Sequence, residues 1–113
     1  MTRRLTAAIL MTLAAVITAS VVHAAEPKEI PITIENNRFS PEEIKVKAGE
    51  PFVLVVTNND PKKSIEVENK DLRIEKVVPA GKTVKIRVRA LKPGSYVFVD
   101  DFNQSAKFKV VAE

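Results

Sequence analysis

The chain has 113 residues, 18 basic against 14 acidic, and no cysteine or tryptophan. That length holds one domain. No basic cluster is interleaved with aromatics, which excludes nucleic acid as the expected partner, and the lack of cysteine excludes a disulfide framework and thiolate chemistry. The only histidine is His23 and the only methionines are Met1 and Met11.

Those three residues fall in a segment that reads as a secretory signal. Arg3 and Arg4 form a positive start, residues 5–18 are an apolar run too short for a comfortable membrane span, and Val22 and Ala24 fit the small-residue rule for cleavage. Cleavage is expected after Ala24, with Ala25 as the alternative; an uncleaved anchor is the competing reading. Residues 1–24 are thus assigned to a signal peptide and 25–113 to the domain, with the bacterial periplasm as the expected compartment. After cleavage 16 basic residues face 14 acidic ones, and no Cys, His or Met remains. Metal ligation would then fall to carboxylates, amides, hydroxyls, one phenol and backbone carbonyls.

From Ile30 onward the apolar pattern has period two. Ile30, Ile32 and Ile34 alternate in a first strand that Pro31 marks as an edge. Ile44 and Val46 alternate with Lys45 and Lys47 before a turn at Gly49. Residues 52–56 (FVLVV) form a continuous apolar run, the signature of a central strand. Asn58-Asn59-Asp60-Pro61 is a turn. Ile65 and Val67 alternate with Glu66 and Glu68, and a short piece ending at Val77-Val78 precedes the turn at Pro79-Ala80-Gly81. Val84, Ile86 and Val88 alternate with Lys85, Arg87 and Arg89, which with Lys82 form a basic stripe. This is the wet face of a strand or a docking face for an acidic partner. After Lys92-Pro93-Gly94 a strand begins near Tyr96, read as a core or corner tyrosine, and the last strand covers about residues 106–111. Seven to eight short strands with turns every eight to twelve residues predict an all-β Greek-key sandwich.

Four blocks in order resemble the cupredoxin family over nearly all of the domain. Residues 39–49 (FSPEEIKVKAG) are similar to F-x-P-x-x-I-x-V-x-x-G, and 55–60 (VVTNND) to the strand leading into N-x-D. Residues 78–83 (VPAGKT) and 91–98 (LKPGSYVF) are similar to V-x-A-G-x-T and L-x-P-G-x-Y-x-F. The resemblance implies a cupredoxin-like sandwich, and it places the copper-ligand positions of that family at Ser64, Asp100 and Asn103. A type-1 copper needs two histidine nitrogens and a cysteine thiolate, so these positions are degenerate and no blue-copper centre is expected.

Residues 66–78 (EVENKDLRIEKVV) and 100–103 (DDFN) more narrowly resemble small periplasmic cupredoxin-like proteins that accompany bacterial Ftr1-type iron permease systems. What that resemblance implies is an accessory protein of iron uptake that binds or relays iron, with the permease or another periplasmic component as partner. Glu66, Glu68, Asp71, Asp100 and Asp101 are the candidate ligands, because oxygen-only sites suit hard cations. Against this stands a plain alternative: Glu66 and Glu68 form the solvated face of a strand, paired with Lys62, Lys63 or Lys70, in a metal-free interaction or scaffold module. No nucleophile–base pair is recognisable, so hydrolase or transferase chemistry is not expected. Ferroxidase activity would require iron itself as the redox centre at a carboxylate site.

Overall fold

The computed structural model describes residues 14–15 and 26–113. The expected signal peptide and its cleavage point lie outside the described residues, apart from Ala14 and Ala15. All regular elements among the described residues are strands: β1 (Lys28–Glu35), β2 (Arg38–Ser40), β3 (Glu43–Val46), β4 (Phe52–Asn58), β5 (Ile65–Asn69), β6 (Ile74–Val78), β7 (Thr83–Val88), β8 (Gly94–Asp100) and β9 (Asn103–Ala112). They form a four-stranded sheet in the order β2-β1-β4-β7 and a five-stranded sheet in the order β3-β9-β8-β5-β6. The all-β sandwich is the expected one. Its count reaches nine because Arg38–Ser40 folds back on the end of β1, a piece too short to show a period.

The apolar run of β4 is central, parallel to β1 on one side and antiparallel to β7 on the other. Pro31 lies in the part of β1 that β2 does not reach, where a residue without an N–H is tolerated. Asn36 and Asn37 both have positive φ, 51° and 59°. They form a two-residue hairpin between Glu35 and Arg38, the mirror-image turn that suits strand twist and accepts asparagine. Ile32, Leu54 and Val56 from one sheet and Val67, Phe98 and Val110 from the other, all six fully buried, belong to one core between the sheets. Phe108 stacks on Phe98 at 4.9 Å and meets Phe39 edge-on at 4.9 Å, joining the sheets through an aromatic trio.

Two turns are fixed by side chains. Asn58, fully buried, donates to the Lys63 carbonyl at 2.8 Å and the Val78 carbonyl at 3.1 Å and accepts from the Asp60 N–H at 3.0 Å. The Asp60 carboxylate in turn accepts from the Lys62 and Lys63 N–H groups, which hold its pKa below the ordinary value. The Tyr96 hydroxyl donates to the Lys92 carbonyl at 2.7 Å, as a corner tyrosine does. The basic residues of β7 are exposed, with Lys85 paired to Glu29 across the sheet at 2.7 Å.

Candidate metal centre

Glu66 and Glu68 are two apart on β5 and share one face, while Ile65, Val67 and Asn69 take the other. On β6, Val77 stands opposite Glu66 and Glu75 opposite Glu68; on β8, Val99 stands opposite Glu68. Glu68 thus has a ladder neighbour on each side and Glu66 one on β6, and both glutamates are buried, at 7% and 8% exposure. They are therefore not the solvated face that simple alternation suggests.

The turn after β8 brings a third carboxylate to them. Asp101 donates its N–H to the Glu66 carbonyl at 2.8 Å, and carboxylate oxygens of Glu66, Glu68 and Asp101 lie within 4.8 Å of one another. The Glu66 Oε1 is enclosed and meets no donor among the described residues. Burial without a partner is costly for a carboxylate. Its pKa is raised to about 7, first by a hydrogen bond with the Glu75 carboxyl that needs a proton on one of the pair, then by burial, then by repulsion from Glu75, Asp101 and Glu68. Among the described residues the cation paired with the group is Lys70, whose exposed Nζ is 3.8 Å from Glu68, one of the three lysine pairings foreseen. The group can hold a proton or a hard cation, either of which relieves the crowding of like charge.

Three of the five candidate carboxylates thus converge. Asp71 does not: it is exposed in the turn that follows β5. Asp100 does not either. It stands opposite Val67 and is 3% exposed, and its Oδ1 accepts from the Glu66 N–H at 2.9 Å and the Phe102 N–H at 3.1 Å. Alternation along β8 puts it on the inward side with Phe98, and the β8–β9 ladder slips at this point, since Val99 faces Lys107 but Asp100 faces Asn103. Glu75 was visible in the sequence only as a residue of the next strand; the register of β5 and β6 makes it part of the site.

The degenerate copper positions gather elsewhere. Ser64, Asp100 and Asn103 line one cavity of about 230 Å³, with Asn58, Asp60 and Phe102 among the other walls. Its donors are hydroxyl, amide and carboxylate, and Asp100 is already engaged by two N–H groups. The chain has no cysteine, and these residues do not fit a type-1 copper, which needs a thiolate and two imidazoles.

The model of the cupredoxin-like domain matches residues 6–112. The chain belongs to the cupredoxin-like domain family. A protein of Rickettsia prowazekii (strain Madrid E), itself uncharacterized, is 34% identical over 76 residues, covering 67% of this chain; the match spans 60% of that protein's length. The fold recurs in the metal-binding domain of the Cu(I)-exporting P-type ATPase CopA of Streptococcus pneumoniae D39, solved with Cu(I), at a TM-score of 0.68 and 17% identity over 75% of this chain and 84% of that one. It recurs also in auracyanin A, a blue copper protein of Chloroflexus aurantiacus, at a TM-score of 0.63 and 16% identity over 77% of this chain and 99% of that one. This cupredoxin-like domain therefore shares its frame with copper proteins while lacking the cysteine of a type-1 site.

Proposed function

We propose that this protein is a periplasmic accessory of a bacterial iron-uptake system, taking up iron as cargo through Glu66, Glu68 and Asp101 and passing it to a permease or another component of the system. The observation that carries the reading is the buried Glu66 carboxylate, whose Oε1 no donor among the described residues meets, inside a group of three carboxylates. Oxygen ligands of this kind suit a hard cation and give little to a soft one. The resemblance of residues 66–78 and 100–103 to proteins of permease-linked iron systems supplies the biological setting. Export by the N-terminal segment would put the site where such cargo is met.

A second reading, an interaction module, is favoured by Val77 at 46% and Phe102 at 57% exposure. Val77 faces Glu66 across the ladder and so flanks the carboxylates, while Phe102 lines the neighbouring cavity with Asp100 and Asn103; both are apolar surface where a receiving protein could dock. The test is iron accumulation by cells that lack the protein, restored with the natural chain or with a Glu66→Gln/Glu68→Gln variant. Restoration by the natural chain alone supports cargo binding. Equal restoration by both assigns the role to docking.

A further inference from the structure

We infer that Asp100 is a positioning residue for the carboxylate group, setting its geometry through two hydrogen bonds rather than through its charge. The inference rests on reading Glu66, Glu68 and Asp101 as a cation site and adds to that reading the residue that assembles it. Asp100 occupies the position where the family resemblance places a copper-ligating thiolate, yet its side chain is turned away from ligation and into the backbone.

The geometry carries the argument. One oxygen, Oδ1, receives both the Glu66 N–H at 2.9 Å and the Phe102 N–H at 3.1 Å. The first bond crosses from β8 to β5 and fixes the backbone of Glu66. The second is a side-chain turn over two residues, which fixes the loop that carries Asp101. The Asp101 N–H then closes the loop on the Glu66 carbonyl at 2.8 Å. The clamp spans 34 residues from Glu66 to Asp100, and its three bonds are what hold the Glu66 and Asp101 carboxylates together against like-charge repulsion. At 3% exposure, Asp100 is shielded from water, which would otherwise compete for these N–H groups. Residues that orient ligands in this way tune metal affinity without touching the metal.

The test is calorimetric titration of the protein with ferrous iron under anaerobic conditions, comparing the natural chain with Asp100→Ala and Asp100→Asn. Circular dichroism first establishes that each variant is folded. Asp100→Ala removes the acceptor and is expected to weaken iron binding by about tenfold or more, the usual effect of losing an orienting partner. Asp100→Asn keeps an acceptor oxygen and removes the charge, so it is expected to bind within about threefold of the natural chain. A folded Asp100→Ala that binds like the natural chain would overturn the inference and leave the site standing. An Asp100→Asn that loses binding would also overturn it, because the charge and not the clamp would then be what matters; this variant decides the question even if Asp100→Ala does not fold. No binding by the natural chain would instead refute the cation site on which the inference rests.

Discussion

Replacing Asn58 with alanine tests the clasp that ties three parts of the sandwich together. The side chain is fully buried and makes three hydrogen bonds, two as donor to the carbonyls of Lys63 and Val78 and one as acceptor from the Asp60 N–H. Alanine fills part of the volume but orphans all three backbone groups. Each orphaned group costs about 1–3 kcal/mol, less where water can reach it, so a loss of about 3–5 kcal/mol is expected. That is a large share of the roughly 5–15 kcal/mol that stabilises a domain. At about 4–8 °C per kcal/mol for a domain of this size, Tm should fall by roughly 12–40 °C. Urea unfolding followed by far-ultraviolet circular dichroism is the suitable assay, since the chain has one tyrosine and no tryptophan. Asn58→Asp keeps the acceptor for Asp60 but sets a carboxylate against two carbonyl oxygens, and it should be no more stable than the alanine variant. A loss below about 1 kcal/mol for Asn58→Ala would refute the clasp.

Further outcomes follow from the carboxylates and the turns. Because the Glu66 pKa is raised from 4.5 to about 7 in the folded chain, its contribution is fully present below pH 4.5 and is lost as pH rises through about 7. Without added metal, the natural chain should thus lose this share of stability over that range, while Glu66→Gln should not; identical pH profiles in chemical denaturation would contradict the assignment. Asp60, whose pKa is lowered, contributes stability that is present above its ordinary value of 3.8 and lost as pH falls through its folded value. Asp60→Asn should flatten the acid limb of the same profile. Arg73 has a φ of 56° and an exposed side chain. Arg73→Gly relieves the left-handed strain, though it frees the unfolded chain, and should raise stability by up to about 1 kcal/mol; a clear loss would show that the arginine side chain has a partner in solution.

The frame of this molecule was legible because its strands alternate and its turns carry their own chemistry. The continuous run at residues 52–56 announced a central strand, and the Asn58-to-Asp60 turn announced itself by residue type. What could not be read was register. Alternation alone puts Glu66 and Glu68 on a wet face, but β6 and β8 flank β5 and close over them. The same register sets Glu75 beside Glu68, which no local pattern encodes. Asp100 and Asp101 are neighbours in sequence and so turn to opposite sides, but only the pairing of Asp100 with Val67 shows that one clamps inward while the other joins the carboxylates; the β8–β9 ladder slips at this point. That slip also starts β9 at Asn103, earlier than the apolar residues that mark its core. β2 escaped notice for a different reason: three residues are too few to display a period, and only Phe39 among them is buried.

The central claim is that three carboxylates form a hard-cation site on a frame shared with copper proteins. Its most direct test is calorimetric titration of the protein with ferrous iron anaerobically and with chelated ferric iron in air, using copper as the competing metal. The account predicts saturable iron binding that is lost in Glu66→Gln/Glu68→Gln, and no intense blue colour with copper. Iron binding unchanged in that double variant, or no iron binding at all, would contradict it.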